Sequence, residues 1–86
     1  MRVTILGCTG GVAADSRTTC LLLDDDILVD VGTGAGDLTL AEMLCINTVF
    51  LTHSHLDHAG LLPMVADMVG PRRETPLTVY ALAETI

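Results

Sequence analysis

One stretch of the sequence decides the fold: Val49-Phe50-Leu51-Thr52-His53-Ser54-His55-Leu56-Asp57-His58-Ala59-Gly60. It holds all three histidines of the protein and one aspartate within six consecutive residues. Val49, Phe50 and Leu51 are apolar, and a short apolar run bounded by polar residues is typical of a buried strand. The stretch therefore predicts a strand that carries a cluster of polar side chains at its C-terminal end.

Four side chains of this cluster have the chemistry of metal ligands. Residues two apart in an extended chain point the same way, so His53 and His55 can converge on one point. Asp57 and His58 follow where the chain turns into a helix, so they can face a second point near the first. Neutral imidazole and carboxylate are usual ligands of zinc and also suit iron and manganese. A single histidine at a strand end is more often structural, but four such residues in six positions favour a metal site.

Length and charge limit the classes of protein that the chain can belong to. It has 86 residues, enough for one small domain that buries about 60% of the surface its unfolded chain exposes. Half of the residues are hydrophobic, which excludes a disordered chain. The net charge is −7 and there is no lysine, so we expect no nucleic-acid surface on this segment. Solubility accounts for most of the carboxylates, although they also fit a cation site.

The three cysteines and the N-terminus bear on location. Cys8, Cys20 and Cys45 are widely spaced and odd in number, which argues against a disulfide framework and for a reducing compartment. We expect them to be small buried apolar residues. The N-terminal apolar run is too short for a signal peptide, and no run is long enough to span a membrane. The expected location is the cytoplasm, without membrane contact.

Further apolar runs predict the other strands and the helices. The predicted strands cover residues 3–6, 18–23, 27–30, 48–51 and 77–82. The second and third are joined by Asp24-Asp25-Asp26, which indicates a hairpin. A helix is predicted over residues 37–44, with Asp37 as its N-cap. A second helix is predicted from about Pro63 to Val69. Its buried stripe would consist of Met64, Val65, Met68 and Val69. Residues 83–86 are expected to begin one more helix.

Two segments raise questions of function. Gly7-Cys8-Thr9-Gly10-Gly11 follows the first strand but lacks the spacing of a dinucleotide or phosphate loop, so we interpret it as a tight turn that needs positive φ. Asp30 lies in an apolar run, where a carboxylate is costly unless something pairs with it. It is either a turn residue or an outer-shell partner that accepts a proton from a metal-bound histidine.

Taken together, these segments resemble a known family. The run His-x-His-x-Asp-His, which stands here as His53, His55, Asp57 and His58, resembles the metal-binding motif of the metallo-β-lactamase-fold hydrolases. The chain is most similar to their class II cyclic-nucleotide phosphodiesterase branch, through residues 6–11, 17–19, 24–30 and 79–82. Ala83 stands where a proline is common in that branch. The tRNase Z branch shares the overall pattern.

The resemblance implies a fold and a set of roles. The fold would be α/β, the N-terminal half of a metallo-β-lactamase-like αββα sandwich with a mixed sheet and short helices. His53 and His55 would bind a first metal, Asp57 and His58 a second, and Asp30 would support them; Asp57 is also the candidate catalytic residue. The metals would be two Zn²⁺ ions, with Mn²⁺ or Fe²⁺ as alternatives.

The family has three further ligands later in its sequence: two histidines and a bridging aspartate. No histidine follows His58, so we expect residues 1–86 to be the N-terminal portion of such a domain, an incomplete fragment that is inactive alone. The resemblance implies hydrolysis of a phosphodiester, with a small cyclic nucleotide such as cyclic AMP as substrate. Alternatives are a tRNase Z-like 3′-processing endonuclease and a non-catalytic metal-binding half-domain, and a homo-oligomer is possible.

Overall fold

Five short strands form one mixed sheet in the part of the chain that the computed structural model describes, residues 1–11, 13, 16–52 and 55–81. Of Leu56 and Asp57 it describes the backbone alone. The strands are β1 (Val3–Gly7), β2 (Cys20–Leu23), β3 (Ile27–Val29), β4 (Thr48–Phe50) and β5 (Thr78–Tyr80), and they lie side by side in chain order. β1, β2 and β3 pair antiparallel, whereas β3, β4 and β5 pair parallel. The predicted mixed sheet is confirmed.

The predicted hairpin is β2–β3, in which Leu23 pairs with Ile27 across the three aspartates. Asp24 has φ of 52° there, a left-handed conformation that aspartate adopts more readily than most residues. β2 begins at Cys20 rather than at Thr18, because Thr18 bonds elsewhere. The Thr18 N–H donates to Thr33 Oγ1 at 2.8 Å, and the Thr33 N–H donates back to Thr18 Oγ1 at 2.7 Å. This reciprocal pair joins the start of β2 to the turn after β3.

Short helices connect the later strands. They are a 3₁₀ helix (Thr33–Asp37), α1 (Leu40–Leu44), α2 (Leu56–Ala59), α3 (Leu62–Val69) and a second 3₁₀ helix (Gly70–Arg72). None of the helices in the described residues is long and apolar enough to cross a bilayer.

The first predicted helix is divided, and its predicted N-cap was wrong. Asp37 ends the 3₁₀ helix, and Thr39 caps α1. The Glu42 N–H donates to the Thr39 hydroxyl at 3.1 Å, while the Thr39 N–H donates to the Glu42 carboxylate at 2.8 Å. This capping box satisfies two backbone donors at once, which an aspartate two residues earlier cannot do.

α3 confirms the second predicted helix, with Pro63 in its first turn. Its predicted buried stripe was half wrong. Val65 and Val69, four residues apart, are buried, but Met64 and Met68 are exposed, Met64 to 62%. Each methionine precedes a buried valine by one position, which turns it about 100° away from the face that the valines bury.

The sheet buries one of its faces. Leu22, Leu28 and Val49 lie in register on that face and cluster with buried side chains from the helices and their connections. Those side chains are Val31, Ala35, Leu38, Met43, Ile46, Val65 and Val69. Cys20 is also in the cluster, as predicted, whereas Cys8 and Cys45 are exposed, so the prediction that all three cysteines are buried was wrong.

The opposite face of the sheet is apolar and largely uncovered by the described residues. Register places Ile5, Leu21, Val29, Phe50 and Tyr80 in one row across all five strands. Val3, Leu23 and Ile27 belong to the next row. We call these eight residues the open face. Ile5 is 65% exposed and Tyr80 55%, and Phe50 stacks on Tyr80 with ring centroids 5.1 Å apart.

The glycine segments differ from expectation. Among the described residues no glycine has positive φ, so the predicted reason for the turn after β1 was wrong. Gly7 and Gly34 are needed for close approach instead. A Cβ on Gly7 would collide with the Thr18 carbonyl oxygen, and one on Gly34 would lie 2.6 Å from the Leu6 carbonyl carbon. Leu82 and the helix expected over residues 83–86 lie outside the described residues.

Candidate metal centre

The candidate residues come together where β3 and β4 end. Parallel neighbours finish at the same edge of a sheet, so the residues that follow β3 and β4 meet there. Asp30 is the first residue after β3, and Thr52 is the second after β4. The histidine motif continues from Thr52 into α2.

Asp30 sits in a buried and conformationally unusual position. Its φ is 63°, in the left-handed region, and its N–H donates to the Phe50 carbonyl at 2.8 Å, which extends the β3–β4 pairing by one bond. The side chain is 3% exposed. A buried carboxylate needs hydrogen-bond donors, and the structure supplies them from Thr52 and His58.

His58 is held against Asp30 by its backbone as well as its ring. The Val31 N–H donates to the His58 carbonyl at 2.6 Å, and the Leu61 N–H donates to the Val31 carbonyl at 2.9 Å, so the end of α2 is bonded to the segment after β3. His58 Nδ1 lies 2.8 Å from Asp30 Oδ2, with the imidazole side chain 19% exposed. Because a carboxylate only accepts hydrogen bonds, Nδ1 carries the proton, and a metal ion would bind through Nε2.

Thr52 completes the arrangement around Asp30. Its N–H donates to Asp30 Oδ1 at 2.8 Å, and its hydroxyl donates to Oδ2 at 2.7 Å. Its Oγ1 is also 3.4 Å from His58 Nδ1. Thr52, Asp30 and His58 thus form one hydrogen-bond network at the edge of the sheet, which runs from the buried Asp30 toward the surface.

The other predicted ligands are described only in part. His55 precedes α2, where its carbonyl accepts from the N–H groups of His58 and Ala59 at 2.9 and 3.0 Å, and its side chain is exposed. Asp57 lies in α2, but its side chain is outside the described residues, as is the whole of His53. Within the described residues no three side chains of metal-ligating type converge. The ligand assignments therefore remain predictions.

The donor set nevertheless fits a divalent metal. An imidazole with Nδ1 on a buried carboxylate is the usual state of a histidine that binds zinc, because the carboxylate fixes the tautomer and raises the basicity of the ring. His58 meets this condition through Asp30, and His55 lies one turn before it. His58 and Asp30 are thus arranged as a metal ligand and its outer-shell partner would be.

Cys20 does not belong to this donor set. Burial, and then the charge of Asp30, raise the pKa of its thiol to about 12. Metal binding and nucleophilic attack both need the thiolate. Cys20 is therefore a neutral member of the core below the site.

Comparison with known proteins gives one informative match. No family model and no curated protein matches the chain. It is similar to a solved crystal structure, that of the metallo-β-lactamase fold protein YhfI from Bacillus subtilis, with a TM-score of 0.70 and 28% sequence identity. The similarity covers 92% of this chain and 37% of that one. The chain has part of the metallo-β-lactamase fold.

The predicted fold class is thereby confirmed, and the superfamily is supported. In this chain the histidine motif follows β4, which pairs parallel with β3 and with β5. The match says nothing about the cyclic-nucleotide branch. The chain spans about 37% of the length of the structure that it matches, so the activity of a complete enzyme is a matter for proposal.

Sequence reasoning missed two parts of the site. Thr52 received no role, although its position just before the motif and the parallel pairing of β3 with β4 would have placed it beside Asp30. The Val31 backbone bonds to the backbones of His58 and Leu61. The identity of the Val31 side chain does not indicate these bonds. Backbone contacts of this kind become visible only in the folded chain.

Proposed function

We propose that this chain carries part of the metal site of a metal-dependent hydrolase. The supporting observation is the 2.8 Å contact between His58 Nδ1 and the buried Asp30 carboxylate at the edge of the sheet. A carboxylate in that place orients an imidazole for metal binding. A turn role alone would not require the Asp30 side chain to meet a histidine 28 residues further along the chain.

In this proposal each residue of the motif has a role. His53 and His55 hold one ion, Asp57 and His58 hold a second, and Asp30 orients His58. Zn²⁺ is the proposed metal, with Mn²⁺ or Fe²⁺ as alternatives, since imidazole and carboxylate suit all of these. Lewis acidity and the activation of water are the chemistry that such ions supply when bound. Asp57 is also the proposed catalytic residue, a role that rests on the resemblance to the metallo-β-lactamase-fold hydrolases.

The proposed substrate is a phosphodiester, and within that class a 3′,5′-cyclic nucleotide such as cyclic AMP. Support comes from the resemblance of residues 6–11, 17–19, 24–30 and 79–82 to the class II phosphodiesterase branch. The net charge of −7 without lysine favours a small substrate over a nucleic acid for this segment. Cys8, Cys20 and Cys45 are free thiols, which agrees with a reducing compartment, and we propose the cytoplasm.

Zinc affinity tests the assignment of ligands. In a competitive-chelator titration, His58→Ala and the double variant His53→Ala/His55→Ala are expected to bind zinc more weakly than the wild-type chain. Asp30→Asn should weaken binding by about tenfold to a hundredfold, the range found for outer-shell partners. Asp67→Asn, which changes an exposed carboxylate on α3, is the matched control and should bind like wild type. Equal affinity in all five proteins would remove the histidines and Asp30 from the site.

Hydrolysis tests the substrate class. The protein that contains these residues is assayed with bis(p-nitrophenyl) phosphate and with cyclic AMP, with and without added zinc. Zinc-dependent hydrolysis of both, lost in His58→Ala, is the expected result. Hydrolysis of the first substrate alone would retain a phosphodiesterase and reject the cyclic nucleotide.

A further inference from the structure

The Asp30 carboxylate has a second anchor besides His58, and it comes entirely from Thr52. Both donors of that residue are used: the N–H reaches Oδ1 at 2.8 Å and the hydroxyl reaches Oδ2 at 2.7 Å. Rotation of an aspartate carboxylate about its last torsion is otherwise soft. Two donors from one residue, one on each oxygen, fix the plane of the carboxylate.

The hydroxyl of Thr52 acts at the oxygen that faces the imidazole. Asp30 Oδ2 accepts from Thr52 Oγ1 at 2.7 Å and from His58 Nδ1 at 2.8 Å, and Oγ1 and Nδ1 are themselves 3.4 Å apart. These three atoms form a triangle in which each distance allows a polar contact. A shift of the carboxylate would therefore change the hydrogen bond that holds the ring.

The backbone of Asp30 also has an uncommon conformation. Its φ of 63° lies in the left-handed region, which residues other than glycine adopt only at a cost in free energy. Thr52 and His58 both bond to the carboxylate of Asp30 while its backbone has this conformation.

We propose that Thr52 is a positioning residue of the metal site. Its hydroxyl fixes the Asp30 carboxylate, which in turn holds the ring of His58 with the proton on Nδ1 and Nε2 directed to the metal. This rests on the proposed function, because it assigns Thr52 a role in the same site. Thr52 itself touches neither metal nor substrate in this scheme.

Three variants separate this role from a purely structural one. Thr52→Val removes the hydroxyl at nearly constant shape, and Thr52→Ser keeps both donors. Thr48→Val removes the hydroxyl of the first residue of β4, which donates to Asn47 Oδ1. Zinc affinity is measured by chelator competition. We expect Thr52→Val to bind about tenfold more weakly, while Thr52→Ser and Thr48→Val bind like wild type.

The tautomer of His58 is the second readout, one that a stabilising role of Thr52 would not change. Long-range proton–nitrogen NMR of the metal-free chain, with signals assigned through His58→Ala, should show the proton on Nδ1 in wild type and in Thr52→Ser. Thr52→Val should show a mixture of the two tautomers. A wild-type His58 with its proton on Nε2 overturns the proposal even if Thr52→Val does not fold.

The outcomes distinguish the two proposals. If His58→Ala leaves zinc affinity unchanged, the proposed metal site itself fails. If His58→Ala weakens binding but Thr52→Val alters neither affinity nor tautomer, the site stands and the role of Thr52 is rejected. Failure of Thr52→Ser to restore what Thr52→Val loses would also reject it, because the hydroxyl would then not be the active group.

Discussion

At the scale of single residues, Cys20 and Asp30 show how close the core lies to the site. Cys20 opens β2 within the buried cluster, and the charge of Asp30 is near enough to disfavour its thiolate. Cys20 is a neutral side chain packed in the core, and Asp30 is the carboxylate that bonds to His58. Burial of Cys20, and then the charge of the nearby Asp30, raise the pKa of the thiol and make the stability of the core depend on pH in the alkaline range.

Cys20 should reduce stability as the pH rises. Burial, followed by the Asp30 charge, raises the pKa of its thiol from 9.0 to about 12. Between these values the unfolded chain has lost the proton and the folded chain still binds it, so the free energy of unfolding falls with pH. The maximal slope is about 1.4 kcal/mol per pH unit. Below pH 9 the contribution is constant.

Urea unfolding at about pH 8 and about pH 10 measures this slope. Cys20→Ala should show a smaller decrease than wild type, and the difference between the two proteins is the contribution of the thiol. Cys8→Ser, in which an exposed thiol is replaced, should behave like wild type. An identical decrease in Cys20→Ala would mean that Cys20 ionises as freely in the folded chain as in the unfolded one.

At the scale of elements, helix starts and chain reversals depend on specific hydrogen bonds. The hairpin of β2 and β3 closes over three aspartates, and α1 starts at a capping box formed by Thr39 and Glu42. The hydrogen bond from the Thr39 N–H lowers the pKa of Glu42. A helix as short as α1, five residues, is not stable by itself, so its cap and its buried Met43 hold it in place.

Thr39→Ala is expected to destabilise the chain by about 1 kcal/mol, since it removes the side-chain half of the capping box. Asp37→Ala is the matched control, because Asp37 was the N-cap expected from the sequence. It removes only an exposed pair with Arg17 and should change stability by less than about 0.5 kcal/mol. Urea unfolding at neutral pH compares the two. A larger loss in Asp37→Ala than in Thr39→Ala would return the cap to Asp37.

At the scale of the whole molecule, the sheet is protected on one face only. Helices α1 and α3 contribute Met43, Val65 and Val69 to the buried cluster, while the open face presents apolar side chains of all five strands. Monomeric proteins rarely expose a contiguous apolar patch of more than a few hundred Å². Such a face favours contact with a second apolar sheet.

We expect the 86-residue chain to self-associate through the open face. Ile5→Glu places a charge on that face, and Met64→Glu places one on α3 at a side chain of similar exposure, 62% against 65%. Sedimentation velocity should show dimers or larger species for wild type and Met64→Glu, and a shift toward monomer for Ile5→Glu. If the wild-type chain is a folded monomer at all concentrations, the open face does not mediate self-association.

The sequence by itself determined the features whose cause lies within a few residues. Apolar runs located the five strands, the three aspartates indicated the hairpin, Pro63 marked the start of α3, and the spacing of histidines and Asp57 indicated the metal motif. Local patterns suffice there because strand, turn and helix formation depend on neighbours along the chain. The predicted superfamily is supported by the similarity to the YhfI structure.

Only the tertiary structure decided how distant parts meet. It joined Asp30 to Thr52, 22 residues away, and to His58, 28 residues away. It also moved the cap of α1 to Thr39, exposed Met64 and Met68, and left Cys8 and Cys45 at the surface. Burial and long-range hydrogen bonds depend on which elements pack together, and packing joins residues whose separation in sequence gives no sign of contact. The residues of the candidate site meet because two parallel strands end at one edge of the sheet, and that pairing forms only when the chain folds.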